Sequence, residues 1–143
     1  MKLRMEHANL HVRHFDDAVR FLKTAFPDFY VRNESVSDGL RCMHIGTDET
    51  YIALTETQVD PDPNSKPYDG KPRVNHLGYE VDDVDALQER LAAAGFPDKT
   101  IPNKHPHRKR VYFNDADGND WEFVQYFSDK PSERNDYDHP ELG

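Results

Sequence analysis

Two histidines, His7 and His76, stand at the same place in a repeated stretch of this chain. HANLHVRHFDDAVRFLKTAFPDF, from position 7, aligns with HLGYEVDDVDALQERLAAAGFPD, from position 76, at an offset of 69 (76 minus 7) held through most of it. Val12 meets Val81, Asp16 meets Asp85 and Leu22 meets Leu91; after a one-residue slip, Phe26-Pro27-Asp28 meets Phe96-Pro97-Asp98. Imidazole can move protons near neutral pH and can donate a nitrogen to a metal ion, so its recurrence at one repeat position is where function enters. Alternation places His7, Asn9 and His11 on one face of a strand, and His76, Gly78 and Glu80 on one face of another. Glu122, Val124 and Tyr126 share a face in the same way. Residues 104–110, KHPHRKR, form the only concentrated basic run. They can attract an anionic substrate or act as a solvated loop balancing nearby acids.

The elements that would carry these side chains follow from periodicity. Residues 5–12 alternate as a strand, and Phe15, Ala18, Val19, Leu22 and Ala25 then fall at helical spacing up to Pro27. Strands are predicted at 29–35, 40–46 and 50–56, the first two joined by an Asp38-Gly39 turn. The segment 58–73 holds four prolines and a glycine and reads as a linker. The order then recurs: a strand at 74–81, a helix at 83–94 stopped by Gly95, a short or irregular strand within 100–109, and strands at 109–113 and 120–127. The expected organisation is a first module at 1–57, the linker 58–73, a second module at 74–127 and a tail at 128–143 that is either solvated or draped over the body. The pattern is βαβββ written twice. A repeat that occurs only twice suggests two fused modules rather than a solenoid. Modules of this kind form one curved, mostly antiparallel sheet around a cleft with helices outside, an α+β fold.

Bulk properties narrow the function classes. The 143-residue chain carries 27 acidic and 18 basic residues, a formal charge of −9, which disfavours nucleic-acid and anionic-membrane partners. The single cysteine, Cys42, excludes an intramolecular disulfide framework and fits a reducing cytosol; in LRCMHIG it reads as a packed thiol. No apolar run approaches a membrane span, and the first residues lack a signal peptide's apolar core, so a cytoplasmic protein is expected. His14, His44 and His139 read as structural or surface histidines, Trp121 as packing against a helix, and DADGN at 115–119 as a hairpin turn rather than a calcium loop.

His7 in EHANLHV, His76 in NHLGYEV and Glu122 in VYFNDADGNDWEFVQY, set in a duplicated βαβββ frame, resemble the vicinal oxygen chelate superfamily over roughly residues 5–127. That superfamily includes glyoxalase I, extradiol dioxygenases, thiol-adding fosfomycin-resistance enzymes and bleomycin-binding proteins. The resemblance implies a divalent metal (Fe, Mn, Zn, Ni or Co) held by His7, His76 and Glu122, with open positions for a small substrate chelating through neighbouring oxygens. Glyoxalase I-like sites use a fourth ligand. Aligning ETYIALTET with NDWEFVQYF makes Ile52 the counterpart of Glu122, and Ile52 has no ligating atom. The implied site is therefore the three-ligand type. Tyr112, ten residues before Glu122, is similar to a tyrosine of fosfomycin-modifying enzymes. His11 or His107 would serve as acid–base in a dioxygenase, while Glu122 itself is a candidate base. Asn9, Glu80, His107 and Arg110 are candidates for the substrate pocket. The alternatives are a non-enzymatic bleomycin-resistance-like binding protein and a fosfomycin-type thiol transferase. The resemblance also implies a homodimer, with modules paired within a chain or across subunits.

Overall fold

A computed structural model describes residues 1–102 and 104–138; His139 lies outside them. The chain divides into two compact units, Met1–Ser65 and Lys66–Gly143. The division falls inside the expected linker, so residues 66–73 belong with the second unit.

The first unit is βαβββ, as the periodicity predicts. β1 (His7–Val12) leads into α1 (Phe15–Ala25), followed by β2 (Tyr30–Ser37), β3 (Leu40–Gly46) and β4 (Tyr51–Glu56). The sheet order is β1-β4-β3-β2, with β1 parallel to β4 and the other pairs antiparallel. α1 buries Phe15, Ala18, Phe21, Leu22 and Ala25 and packs on β3 and β4. Met43, Ile45, Ile52 and Leu54 fill the sheet side of that core. Because side chains alternate along a strand, the opposite face carries His7, Asn9, His11, Cys42, His44, Tyr51, Ala53 and Thr55. Gly46 is required by close approach, since a Cβ there would lie 2.2 Å from the Thr50 carbonyl oxygen.

The second unit repeats this plan with one strand nearly missing. β5 (Leu77–Glu80), α2 (Val84–Ala93), β6 (Arg108–Asn114) and β7 (Asp120–Tyr126) give a three-stranded sheet of order β5-β7-β6, again with the first and last strands parallel. Asp83 caps α2 by accepting from the Ala86 amide at 3.0 Å, and Gly95, at φ +85°, ends it in the left-handed conformation suited to glycine. Where the repeat calls for another strand, Pro97 and Pro102 bracket a stretch that makes one isolated bridge, Asp98 to Phe113. Two backbone bonds fix it on the edge of β6, Lys99 N to Tyr112 O (2.8 Å) and Asn114 N to Pro97 O (3.2 Å). Proline has no N–H to extend such a ladder. Val84, Leu87, Leu91, Phe96, Val111, Phe113, Trp121 and Phe123 form the core beneath α2. Trp121 thus packs on the helix side, as its strand parity predicts, and donates its indole N–H to Asp115 at 3.0 Å.

Of the two readings of the tail, the draped one holds. α3 (Pro131–Arg134) turns it back onto the strand face opposite α2. Arg134 makes a two-pronged bond to Glu80 (3.0 and 2.7 Å), and its guanidinium lies 4.0 Å from the Tyr126 ring centre. Arg108, only 2% exposed, donates to the Asp136 carbonyl at 2.7 Å and stacks on Tyr137. Among the described residues no helix is long and apolar enough to cross a membrane.

Candidate functional site

The two sheet registers establish which positions are equivalent. Ala8 pairs with Ile52 and Asn9 with Ala53; in the second unit Leu77 pairs with Trp121 and Gly78 with Glu122. With the 69-residue offset, Ile52 corresponds to Trp121, and Ala53 to Glu122. The sequence alignment that made Ile52 the counterpart was therefore one residue out of register. Such a slip moves a side chain to the other face of the sheet. Ile52 is 1% exposed in the α1 core. The inference drawn from it survives the correction, because alanine also has no ligating atom. By the same registers His44 corresponds to Tyr112, and Cys42 to Arg110.

In the second unit His76 and Glu122 come together. His76 Nε2 lies 3.0 Å from Glu122 Oε2, and its Nδ1 bonds the Asn75 side-chain oxygen at 2.8 Å. That second bond fixes the ring and directs Nε2 toward the carboxylate, as the outer partners of metal-binding histidines do. Gly78, opposite Glu122, leaves open space where a Cβ would stand. Arg110 Nη1 is 3.8 Å from the other Glu122 oxygen, Oε1. Tyr112 faces Glu122 across the β6–β7 pair, and its ring meets His76 edge-on at 6.3 Å. From the first residues of this unit Tyr68 stacks toward His76 at 6.1 Å and donates its hydroxyl to Asp120 at 2.6 Å. Burial of that hydroxyl end, then the bond to Asp120, pushes the Tyr68 phenol well above its ordinary pKa.

In the first unit His7 has the same local arrangement with different partners. Its Nδ1 bonds Glu6 at 2.9 Å, and its ring stacks on Tyr51 at 4.8 Å. Tyr51 also stacks with His44 at 4.6 Å and reaches Glu6 with its hydroxyl at 3.3 Å. The Glu6 carboxyl is held below its usual range, chiefly by the His7 bond and then by Tyr51. Asn9 and His11 lie exposed on the same face, with the Asn9 side chain 3.5 Å from the Thr55 hydroxyl.

The other expected pocket residues are engaged elsewhere. Glu80 is taken up by Arg134, and His107 lies 3.8 Å from Glu133. The second part of the basic run, Arg108 to Arg110, opens β6, and residues 104–107 lead into it: Arg108 is buried, Lys109 pairs with Asp85, and Arg110 faces Glu122. Glu6 and Asn75, at equivalent repeat positions, were missed by sequence reasoning. The available signal was an oxygen-bearing side chain immediately before each histidine. Tyr68 and Asp120 were also missed, although Tyr68 is the only aromatic residue of segment 58–73.

As a metal site, the His76–Glu122 pair offers one nitrogen and one carboxylate already turned toward each other, a fit for two positions of a divalent cation. Among the described residues no group of three or more His, Cys, Asp and Glu side chains is gathered closely enough to hold such an ion.

Solved structures share the fold. The fosfomycin resistance protein FosX from Listeria monocytogenes, solved with Mn(II) and sulfate, is 20% identical with a TM-score of 0.69, over 95% of this chain and 100% of its own. A glyoxylase/bleomycin resistance protein/dioxygenase domain from Frankia sp. EAN1pec is 21% identical with a TM-score of 0.70, over 95% and 99%. A glyoxalase family protein from Bacillus cereus is 14% identical with a TM-score of 0.72, over 90% and 97%. No curated protein matches the sequence. A family model matches residues 4–123, most of the chain, and places it: the protein belongs to the Glyoxalase/Bleomycin resistance protein/Dioxygenase superfamily.

Proposed function

We propose that this protein is a divalent-metal enzyme acting on a small substrate that binds through neighbouring oxygens, with His7, His76 and Glu122 as the protein ligands. The observation that carries the reading is the His76–Glu122 pair at 3.0 Å, its imidazole fixed from behind by Asn75. Its counterpart, His7, is fixed from behind by Glu6. Two imidazoles and one carboxylate leave coordination positions open, and the bound ion would supply Lewis-acid stabilisation of an oxyanion. His7 would complete the set from the same chain or from a second copy, which makes a homodimer part of the proposal.

The chain's own groups have defined parts in this reading. Glu122 presents one oxygen to His76 and has Arg110 beside the other, a position from which the carboxylate can ligate the ion or take a proton from substrate. Tyr112, opposite Glu122 on β6, is placed to donate a hydrogen bond to a substrate oxygen. His11 is the acid–base candidate of the first unit. The FosX structure with Mn(II) supports divalent-metal use in the family, and Tyr112 opposite Glu122 favours thiol addition of the fosfomycin-resistance type as the second reading. A third reading, a metal-free binding protein, makes the opposite prediction about metal content.

Elemental analysis of the purified protein, followed by Mn²⁺ titration of wild type and Glu122→Gln, tests the proposal. Near-stoichiometric metal and an affinity loss greater than about 100-fold in the variant are expected. Absence of bound metal, with no Mn²⁺ affinity to lose, would leave the binding-protein reading standing.

A further inference from the structure

The second unit contains a cavity of about 810 Å³ beside the His76–Glu122 pair. Lys66, Lys99 and Arg110 outnumber Asp115 and Asp120 on its wall, while Tyr68, Ile101 and Tyr112 supply apolar surface. His76 and Glu122 are not themselves on that wall. Tyr68 and Tyr112 are, and both rings also face His76, at 6.1 and 6.3 Å. The two tyrosines therefore border both the cavity and His76.

We propose that Tyr68 is the specificity-determining residue of this cavity, a partition whose ring limits the size of ligand able to extend from the cavity to His76 and Glu122. Three features of its placement support the role. Tyr68 has φ +63°, a left-handed conformation that a bulky side chain adopts only when its surroundings impose it. The surrounding segment is a self-bonded turn: Asp69 accepts the Lys71 and Lys66 amides (2.9 and 3.3 Å) and pairs with Arg73 at 2.7 Å, and Arg73 also donates to the Lys66 carbonyl. The phenol is then anchored on Asp120, which is only 6% exposed and lies on β7 two residues before Glu122. The ring is thus fixed at its backbone and at its hydroxyl. Its body remains largely exposed, so its removal opens space without emptying a core.

The inference deepens the proposed function by naming the residue that would select its substrate. Its test does not depend on bound metal. Benzoate and 2-naphthoate serve as probes, matching the basic and apolar lining with two sizes of aromatic anion. Their dissociation constants would be measured by calorimetry on the full chain with and without Mn²⁺. The key variant is Tyr68→Gly, which removes the ring and is the residue best suited to the positive φ. Tyr68→Phe keeps the ring and removes the anchor. In Tyr68→Gly the naphthoate-to-benzoate Kd ratio should fall by about tenfold, and in Tyr68→Phe it should stay within about threefold of wild type. An unchanged ratio in Tyr68→Gly overturns the proposal, and so does failure of benzoate to bind wild type. If selectivity is unchanged while Glu122→Gln still abolishes Mn²⁺ binding, the partition fails and the metal site stands. The reverse pattern separates them the other way.

Discussion

The two halves of this protein share a plan and differ in what covers it. In each, a helix packs on one face of a sheet whose first and last strands run parallel, and a histidine begins the first strand with its Nδ1 held by the preceding residue. The second half opposes its glycine with Glu122, and covers that sheet face with Tyr68 from one end and Arg134 from the other. The first half has Ala53 at the carboxylate position and leaves His11 exposed, with aromatic stacking around Tyr51 where the second half has charge. Both halves keep an apolar core on the helix side, while beyond the shared histidine their opposite faces differ. A single parity step on the last strand, Ile52 against Ala53, separates the apolar side from the side that differs.

The strongest test of shared architecture concerns the helix side. Trp121→Ala should destabilise the second half by about 3–5 kcal/mol and Ile52→Ala the first by about 2–5 kcal/mol. Denaturant melts that show one transition in wild type and two in either variant would demonstrate that the halves can unfold separately. Metal affinity probes the divergent face next. His7→Ala and His76→Ala should each weaken Mn²⁺ binding by more than about 100-fold. Full affinity in His7→Ala would confine the metal to the second half and end the functional symmetry. Glu6→Gln and Asn75→Ala sharpen the contrast at lower amplitude, with losses of about 10- to 100-fold if these side chains orient the two imidazoles. An effect at only one of them would show that one histidine is a ligand and the other is not.

The smallest predicted effect is confined to the tail, which has no counterpart in the first half. Glu133 has its pKa lowered from 4.5, chiefly by the Ser128 hydroxyl, with Lys130 and His107 adding to this against the opposing effect of burial. A carboxylate with a lowered folded pKa contributes stability that is present above its ordinary pKa and lost as pH falls through the folded value. Amide protection of residues 128–136, measured by hydrogen exchange and corrected for the intrinsic pH dependence, should therefore hold at neutral pH and decline below about pH 4.5. Protection that persists through that window would place the anchorage in Arg108, whose acceptors are backbone carbonyls.

Much of the plan was legible because alternation and helical spacing are local. Every expected helix and all but one expected strand occur, with ends displaced by a few residues. The missing strand lies where two prolines remove backbone donors, and the sequence had marked it as irregular. The site was legible only as far as its repeat position. The equivalence of Ala53 and Glu122 depends on hydrogen-bond register, and an alignment of short apolar strands leaves that uncertain by one residue. The segment at 66–73 read as linker because it is polar and rich in proline. Its polar groups bond mostly to one another, and that leaves Tyr68 turned toward Asp120. Likewise, the charge of the tail suggested solvation, whereas two of its backbone carbonyls accept from Arg108, a residue more than twenty positions earlier.

That last contact constrains how such a chain can change over time. Arg108 is buried with its charge met by carbonyl oxygens, which every amino acid provides, so residues 134 and 136 can vary in side chain without loss of the bond. Length cannot vary as freely. A deletion between β7 and residue 136 would withdraw those oxygens, and the Tyr137 ring with them, from a guanidinium that is only 2% exposed. Lineages of this protein should therefore accumulate substitutions in the tail readily and insert or delete within it rarely.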